Sequence, residues 1–491
     1  MAPVKFARLL ALLLALAPVL AAAADSRPRI GLVLSGGGAR GAAHVGVLKV
    51  LEEMHVPIDA IAGTSMGAVV GGLYASGLTA DEIDAQLRAV HWDELLGDRP
   101  PRDDLSFRRK EEDRNFLVRL PLGLHGGEFR LPKGLVQGQR LNDLLRRLTL
   151  PVAAVGDFDA LPTPFRAIAT DLETGDRVVL SSGDLTTAMR ASLSVPGVFV
   201  PVERDGRLLV DGGLAANLPV DVARSMGVDI LIVVDVGFPL LTRERLSTVP
   251  IISNQMLAIL IRRNSERQRA SVTAQDVLID PALGSASSFD FSRFVSLIDA
   301  GSSAARAAAP RLESLAVAPA QYADYVAQRV RQRSGVAPQI DFVRVAGDSA
   351  RYRRSIEDLF GDFAGAPFDA AAVDRRITGF YGLGNLESLD YSIVRDDAGR
   401  QGLEVSAQRN SWGPNYVRFG VSLGDDFEGN SAYNARARFV LAEINQLGGE
   451  WTWDLQIGES PHVATELYLP FSYRQRWFAL PQARYEARNV G

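Results

Sequence analysis

At 491 residues the chain is long enough for two or three domains. Its formal charge of −5, with arginines scattered among acids, leaves no basic face, so no nucleic-acid partner is expected. The absence of cysteine excludes disulfide frameworks and thiolate metal sites, and five scattered histidines suggest no metal cluster either. In chain order, "MAPVKFARLLALLLALAPVLAAAADS" comes first. Lys5 and Arg8 precede an apolar run from Leu9 to Leu20, and Ala22 to Ala24 offer a small-residue cleavage site before Asp25. That is the pattern of a secretory signal peptide over residues 1–24, too short to span a membrane comfortably, so an exported protein is expected.

Residues 29–330 alternate buried-strand runs ("RIGLVLS", "PIDAIAG", "DILIVVDVG") with helical patterns ("GAAHVGVLKVLEEM", "MGAVVGGLYASG"). This order predicts a mostly parallel α/β sheet covered by helices. Within it, residues 98–140 are first charge-dense and then rich in Gly and Leu, which reads as a solvated insertion or as a mobile flap over an apolar site. Residues 303–337 read as a helical tail and a linker. Residues 339–409 form a compact unit with predicted order βααββ, its last two strands joined around Asp397-Ala398-Gly399. Residues 412–491 change character. Val417, Phe419, Val421 and Leu423 alternate with polar positions, as do Trp451, Trp453, Leu455 and Ile457. Long amphipathic strands of this kind predict an outer-membrane β-barrel; about five fit before Gly491, where the smallest barrels need about eight, so the start of a barrel is expected. A soluble antiparallel sheet is the other reading.

Gly63-Thr64-Ser65-Met66-Gly67 fits G-x-S-x-G between a predicted strand and helix. A serine on so sharp a turn exposes its Oγ, and the helix N-terminus behind it favours developing negative charge. One βα unit upstream, "SGGGARG" contains Gly-x-Gly-x-x-Gly, the spacing of a dinucleotide loop. A dinucleotide site expects an acid about 20 residues on, at the end of the second strand, but Asp59 lies at that strand's beginning. A phosphate-binding Walker loop needs Gly-Lys-Ser/Thr where this chain has Gly41-Ala42. No nucleotide cofactor is therefore expected. Loops at the carboxyl ends of neighbouring parallel strands converge, so the amides of Gly36, Gly37 and Gly38 can face a carbonyl attacked by Ser65, with Arg40 adding positive charge.

Serine needs a base. Of the histidines after Ser65, His91 and His125 lie in or beside the insertion and His462 in the predicted barrel, while His44 and His55 fit packing or solvation around the first helix. A carboxylate base is favoured by elimination. Asp211, ending a strand before Gly212-Gly213, is the best candidate; an aspartate there also commonly caps the next turn.

"SGGGARG", "GTSMG" and "DGG", in this order and with "ASLSVPGVFVPV" ahead of the aspartate, resemble the patatin-like phospholipases over roughly residues 29–330. The resemblance implies a three-layer α/β domain, a Ser65–Asp211 dyad, an oxyanion hole from the Gly36–Gly38 loop with Arg40, motif glycines Gly41, Gly63, Gly67, Gly212 and Gly213, and hydrolysis of glycerophospholipid esters without a cofactor. The whole arrangement resembles the bacterial subgroup in which a signal peptide and patatin domain precede a POTRA domain, here 339–409, and an outer-membrane barrel. Membrane phospholipids and the outer membrane are the implied partners, with room left for a homo-oligomer. An esterase on another lipid ester, or a translocation protein carrying the N-terminal domain as cargo, are the competing functions.

Overall fold

A computed structural model describes residues 27–98, 102–116, 122–237, 239–333, 339–425 and 431–487. The signal-peptide pattern and the linker at 334–338 lie outside them. The first unit is built on an eight-stranded sheet. Its centre is parallel: β1 (Ile30–Leu34) lies between β2 (Ala60–Thr64) and β11 (Ile230–Val234), with β6 (Phe165–Asp171) beyond β2 and β12 (Val277–Ile279) beyond β11. β10 (Arg207–Asp211) joins β6 antiparallel, as do β7 (Arg177–Leu180) on β6 and β9 (Val202–Arg204) on β10.

Side chains alternate across a strand, and here both faces are covered. Leu32, Leu34, Ile61, Ile232 and Val234 enter one core layer with helices α1 (Ala42–Glu53) and α2 (Met66–Ala75). Val33, Ala60, Ala62, Leu231 and Val233 enter the other, with Leu218, Val220 and Val222. This is the expected three-layer α/β arrangement. Asp59, the acid weighed for a ribose, receives the Ile30 N–H at 2.7 Å and pairs with Arg27 at 2.6 Å, at the opposite end of the sheet from the glycine loop.

The insertion is solvated only in part: residues 126–131 are exposed, while Arg108, Arg109 and Glu112 are buried. α3 (Trp92–Gly97) precedes it and α5 (Gln139–Thr149) follows it, and between them α4 (Phe107–Asn115) leaves the first unit. α4 lies against the C-terminal sheet, where Arg108 is 2% exposed. Arg108 bonds to Glu450 at 3.2 Å and to Glu466, while Arg109 pairs with Glu112 at 2.7 Å and Glu450 at 2.5 Å. Arg418 reaches Glu112 at 3.1 Å, and Arg436 and Arg438 sit over the Phe116 ring. β3 (Leu122–His125) then extends the same sheet, with Gly123 opposite Tyr416. β5 (Gly134–Val136) returns to pair in parallel with β8 (Gly197–Phe199) of the first unit. The charge-dense sequence is therefore the paired polar filling of a sheet face.

The middle unit has the expected order: strand Phe342–Val345, helices Arg353–Phe360 and Ala370–Tyr381, and the hairpin Leu386–Arg395 with Gln401–Arg409. After it come five long or medium antiparallel strands, Asn415–Asp425, Ser431–Leu441, Glu450–Gly458, His462–Pro470 and Gln482–Glu486. Among the described residues they form an open sheet. Its polarity is reversed relative to a soluble sheet. Phe419, Val421, Leu423 and Ile457 are exposed, whereas Arg438, Glu450, Thr452 and Asp454 are buried on the face that α4 covers. Arg438 and Asp454 form a paired contact of 2.6 Å there.

Candidate active site

Ser65 sits between β2 and α2 with φ 54° and ψ −124°, a backbone conformation that non-glycine residues rarely adopt. The turn is possible because glycines stand two residues away on either side, Gly63 and Gly67. A Cβ on Gly63 would stand 2.4 Å from the Gly67 carbonyl oxygen, and one on Gly67 would stand 2.3 Å from that of Leu34. The elbow is thus pressed against both its own strand and the end of β1. Gly41 lets the glycine loop approach the same turn, since a Cβ there would lie 2.4 Å from Met66 Cγ.

Ser65 Oγ donates to Asp211 Oδ2 at 2.6 Å, and both residues are buried. Asp211 is fixed from all sides. Its N–H donates to the Ser194 carbonyl at 2.9 Å, its carbonyl accepts from Thr170 Oγ1 at 2.9 Å, and its Oδ1 accepts the Gly213 N–H at 2.7 Å. Gly212 lies so close to β6 that a Cβ would stand 2.1 Å from the Ile168 carbonyl oxygen. Burial pushes the Asp211 carboxyl up to about 6, against the lowering effect of its bonds from Ser65 and Gly213. The Asp-Gly-Gly turn and the pairing with Ser65 coexist, one carboxylate oxygen serving each.

The glycine loop divides its expected roles. The Gly36 N–H donates to the Asn217 carbonyl at 3.1 Å, so it is not a free donor, contrary to expectation. The N–H groups of Gly37 and Gly38 make no hydrogen bond among the described residues, and neither does that of Met66. Gly38 has φ +56°, and a Cβ on it would stand 2.4 Å from the Ser288 carbonyl oxygen. Arg40 also departs from expectation. Its Nε donates to the Val236 carbonyl and its Nη1 to that of Ala286, both at 2.8 Å, so it staples the loop instead of facing the serine.

The histidines lie elsewhere. His44 is buried on α1, with Nε2 2.8 Å from the Ser35 carbonyl, and burial lowers it to about 4, so it is neutral. His55 packs against Tyr322 at 5.0 Å, His91 precedes α3, and His462 lies in the C-terminal sheet. The side chain of His125 is outside the described set.

A cavity of about 270 Å³ opens over Ser65 and Asp211. α3 and α5, which flank the insertion, wall it with Trp92, Leu95 and Leu144, and β8 adds Phe199. The fourth wall is α8 (Val249–Arg269), through Leu257 and Ile261, a helix that the sequence reading passed over. Its mixed signal explains the omission: Val249, Met256 and Leu260 of the same helix are exposed, so no single apolar stripe stands out. Ser192 and Asn217 also went unrecognised, since an isolated Ser or Asn has no spacing signature.

Fold and site together define a three-layer α/β domain with a serine on a strand–helix elbow, paired to a buried aspartate under an apolar cavity. Residues 32–224 match the family model described as patatin-like phospholipase, so this segment is similar to the domains of that family. An uncharacterized NTE family protein of Mycobacterium bovis is 37% identical over 213 residues, 43% of this chain and 50% of that protein. Patatin-like phospholipase domain-containing protein 6 of Homo sapiens is 35% identical over 210 residues, 42% of this chain and 13% of that protein. The chain therefore spans half the length, or less, of these relatives. The crystal structure of VipD from Legionella pneumophila aligns with a TM-score of 0.33 at 16% identity, over 59% of this chain and 67% of that one.

Proposed function

We propose that the chain is a serine acyl hydrolase that cleaves glycerophospholipid esters, a phospholipase of A type acting in lipid catabolism. The observation that carries this reading is the 2.6 Å bond between Ser65 Oγ and Asp211 Oδ2 at the floor of an apolar cavity. Asp211 takes the Ser65 proton as Oγ attacks the ester carbonyl. The carbonyl oxygen becomes an oxyanion, for which the N–H groups of Gly37, Gly38 and Met66, unbonded among the described residues, are the available donors. Collapse expels the lysophospholipid alcohol, which takes the proton from Asp211, and leaves an acyl-Ser65 ester. Water, deprotonated by Asp211, attacks that ester and releases the fatty acid and free Ser65. A carboxyl with a value near 6 is a better base near neutrality than an ordinary aspartate.

The cavity accepts an acyl chain, and the exposed apolar residues Val249, Met256 and Leu260 on α8 suit a membrane phospholipid surface as partner. The sheet with Phe419, Val421 and Leu423 outward and charged residues inward supports 412–491 as outer-membrane barrel strands, and the βααββ order supports 339–409 as a POTRA domain. With residues 1–24 as signal peptide, the protein is exported and held at the outer membrane, where a homo-oligomer can also form. The same sheet and βααββ unit favour a second reading, translocation with the N-terminal domain as cargo.

Hydrolysis of phosphatidylglycerol and phosphatidylethanolamine vesicles by the full chain tests the first reading. Release of fatty acid that Ser65→Ala abolishes supports it. Equal release by the variant overturns it, and a release confined to lysophospholipids or triglycerides moves the substrate to another lipid ester. Protease accessibility of residues 29–330 in intact cells tests the location.

A further inference from the structure

The segment "ASLSVPGVFVPV" carries the family resemblance, yet the dyad mechanism gives it no task. It begins at the end of α6 (Leu185–Ser192). Ser192, 0% exposed, accepts the Ser65 N–H on its Oγ at 2.9 Å and donates its single hydroxyl proton to the Ile168 carbonyl. That second bond fixes the direction of the first: the proton is committed to Ile168, so a lone pair faces Ser65. The same turn of chain holds the other half of the site. The Ser192 carbonyl accepts the Gly212 N–H at 3.3 Å, and the Ser194 carbonyl accepts the Asp211 N–H at 2.9 Å.

Ser65 and Asp211 therefore hang from one brace, the serine by a side-chain bond and the aspartate by backbone bonds. The serine's bond is the vulnerable one. Ser65 holds φ 54° and ψ −124°, which persists only while its surroundings over-determine it. Its N–H has no other partner among the described residues, and its Oγ must stay aligned with Asp211 through the whole reaction.

We propose that Ser192 is a positioning residue for the nucleophile: by holding the Ser65 N–H it fixes the elbow in the conformation that keeps Oγ on Asp211. The proposal rests on the dyad reading above. It predicts an effect on turnover and on nucleophile reactivity, not on substrate affinity.

The test uses the full chain in detergent with a short, soluble ester. Active sites are counted by covalent labelling with a fluorophosphonate, taken to completion. Ser192→Ala lowers kcat per labelled site, and the second-order rate of labelling, by about tenfold or more, with KM within twofold of the parent. Ser192→Thr, which keeps an oxygen at the same branch, recovers most of both rates. A Ser192→Ala protein that labels and turns over at the parent rate per site overturns the proposal, whatever happens to its melting temperature. So does a loss that appears in KM alone, or one that Ser192→Thr fails to relieve while remaining folded. Failure of the dyad reading is separable, since it appears in Ser65→Ala: an unlabelled, inactive Ser65→Ala with a parent-like Ser192→Ala sinks only this inference.

Discussion

Ser65 Oγ and Asp211 Oδ2 stand 2.6 Å apart across 146 residues of chain, and among the described residues no histidine hydrogen-bonds either group. The two-residue pairing makes the acid limb of the reaction a property of one carboxyl. Burial raises Asp211 to about 6, so the base form is lost as pH falls through that value. The expected kcat/KM for a neutral short-chain ester rises with unit slope up to about pH 6 and levels above it. A limb centred near 4, measured on the free enzyme with a non-ionising substrate, contradicts the assignment of Asp211 as base.

The same shift has a stability consequence of opposite sense to activity. The value of Asp211 in the fold, about 6, lies above the ordinary 3.8 of the unfolded chain, so folding takes up a proton between the two. Its contribution is full below pH 3.8 and is lost as pH rises through 6. Asp211→Asn carries no charge to bury, but its single oxygen cannot serve both Ser65 and the Gly213 N–H, so one of those bonds is lost at every pH. The variant is expected to be inactive, and its stability relative to the parent is expected to rise by about 3 kcal/mol between pH 3.5 and pH 8. Denaturant unfolding of the two proteins at both pH values measures this.

The pairing of Ser65 with Asp211 was legible because these residues carry spacing and turn chemistry. Gly63, Gly67 and Gly212 mark places where backbone must touch backbone, and such contacts leave their trace in sequence as obligatory glycines. The role of Gly36 was not legible, since three adjacent glycines look alike and only the fold shows that Asn217 takes the first N–H. Arg40 was misread for a related reason. A cation beside a glycine loop suggests a charge for the substrate, but its partners, the carbonyls of Val236 and Ala286, are invisible without the fold. The alternation of Phe419, Val421 and Leu423 announced an amphipathic strand correctly. What it could not announce was that the charged insertion at 107–115 covers the polar side, because that match joins segments more than 300 residues apart.

That insertion yields a prediction of its own. Arg109 lies between Glu112 and Glu450, with Glu112 and Glu450 both buried. Removing one member of a buried network leaves its partners charged and unpaired, at a cost of about 3–5 kcal/mol. Arg109→Ala is expected to lower the thermal midpoint in detergent and to open α4 (Phe107–Asn115) to trypsin. Arg130→Ala, whose 3.3 Å pair with Glu128 is exposed, changes neither. Equal behaviour of the two variants contradicts the buried network.

Gly38 tests the glycine loop. Its φ of +56° and the 2.4 Å approach of the Ser288 carbonyl to any added Cβ mean that alanine cannot be accommodated without moving the loop. If its N–H faces the oxyanion, that movement withdraws a donor worth roughly 100-fold or more in kcat. Gly38→Ala is therefore expected to lose turnover by that order while the Ser65–Asp211 bond persists, so the acid limb near pH 6 stays in place. A variant with parent-like turnover places the oxyanion donors elsewhere, with Met66 next to be examined.

The cavity sets the last expectation, because its walls come from the helices on either side of the insertion. Leu144 on α5 is 8% exposed and lines the space above Ser65. Tryptophan there fills room that the distal part of an acyl chain would occupy and leaves the dyad untouched. Each methylene denied burial forfeits about 0.8 kcal/mol, so excluding two of them lowers kcat/KM by about 15-fold. Leu144→Trp is expected to show that loss with hexadecanoyl esters and parent-like rates with butanoyl esters, whose chains end before the obstruction. An equal loss on both substrates means the substitution has disturbed the elbow; no loss on either means the acyl chain runs along another wall, with Leu257 on α8 the next position to fill.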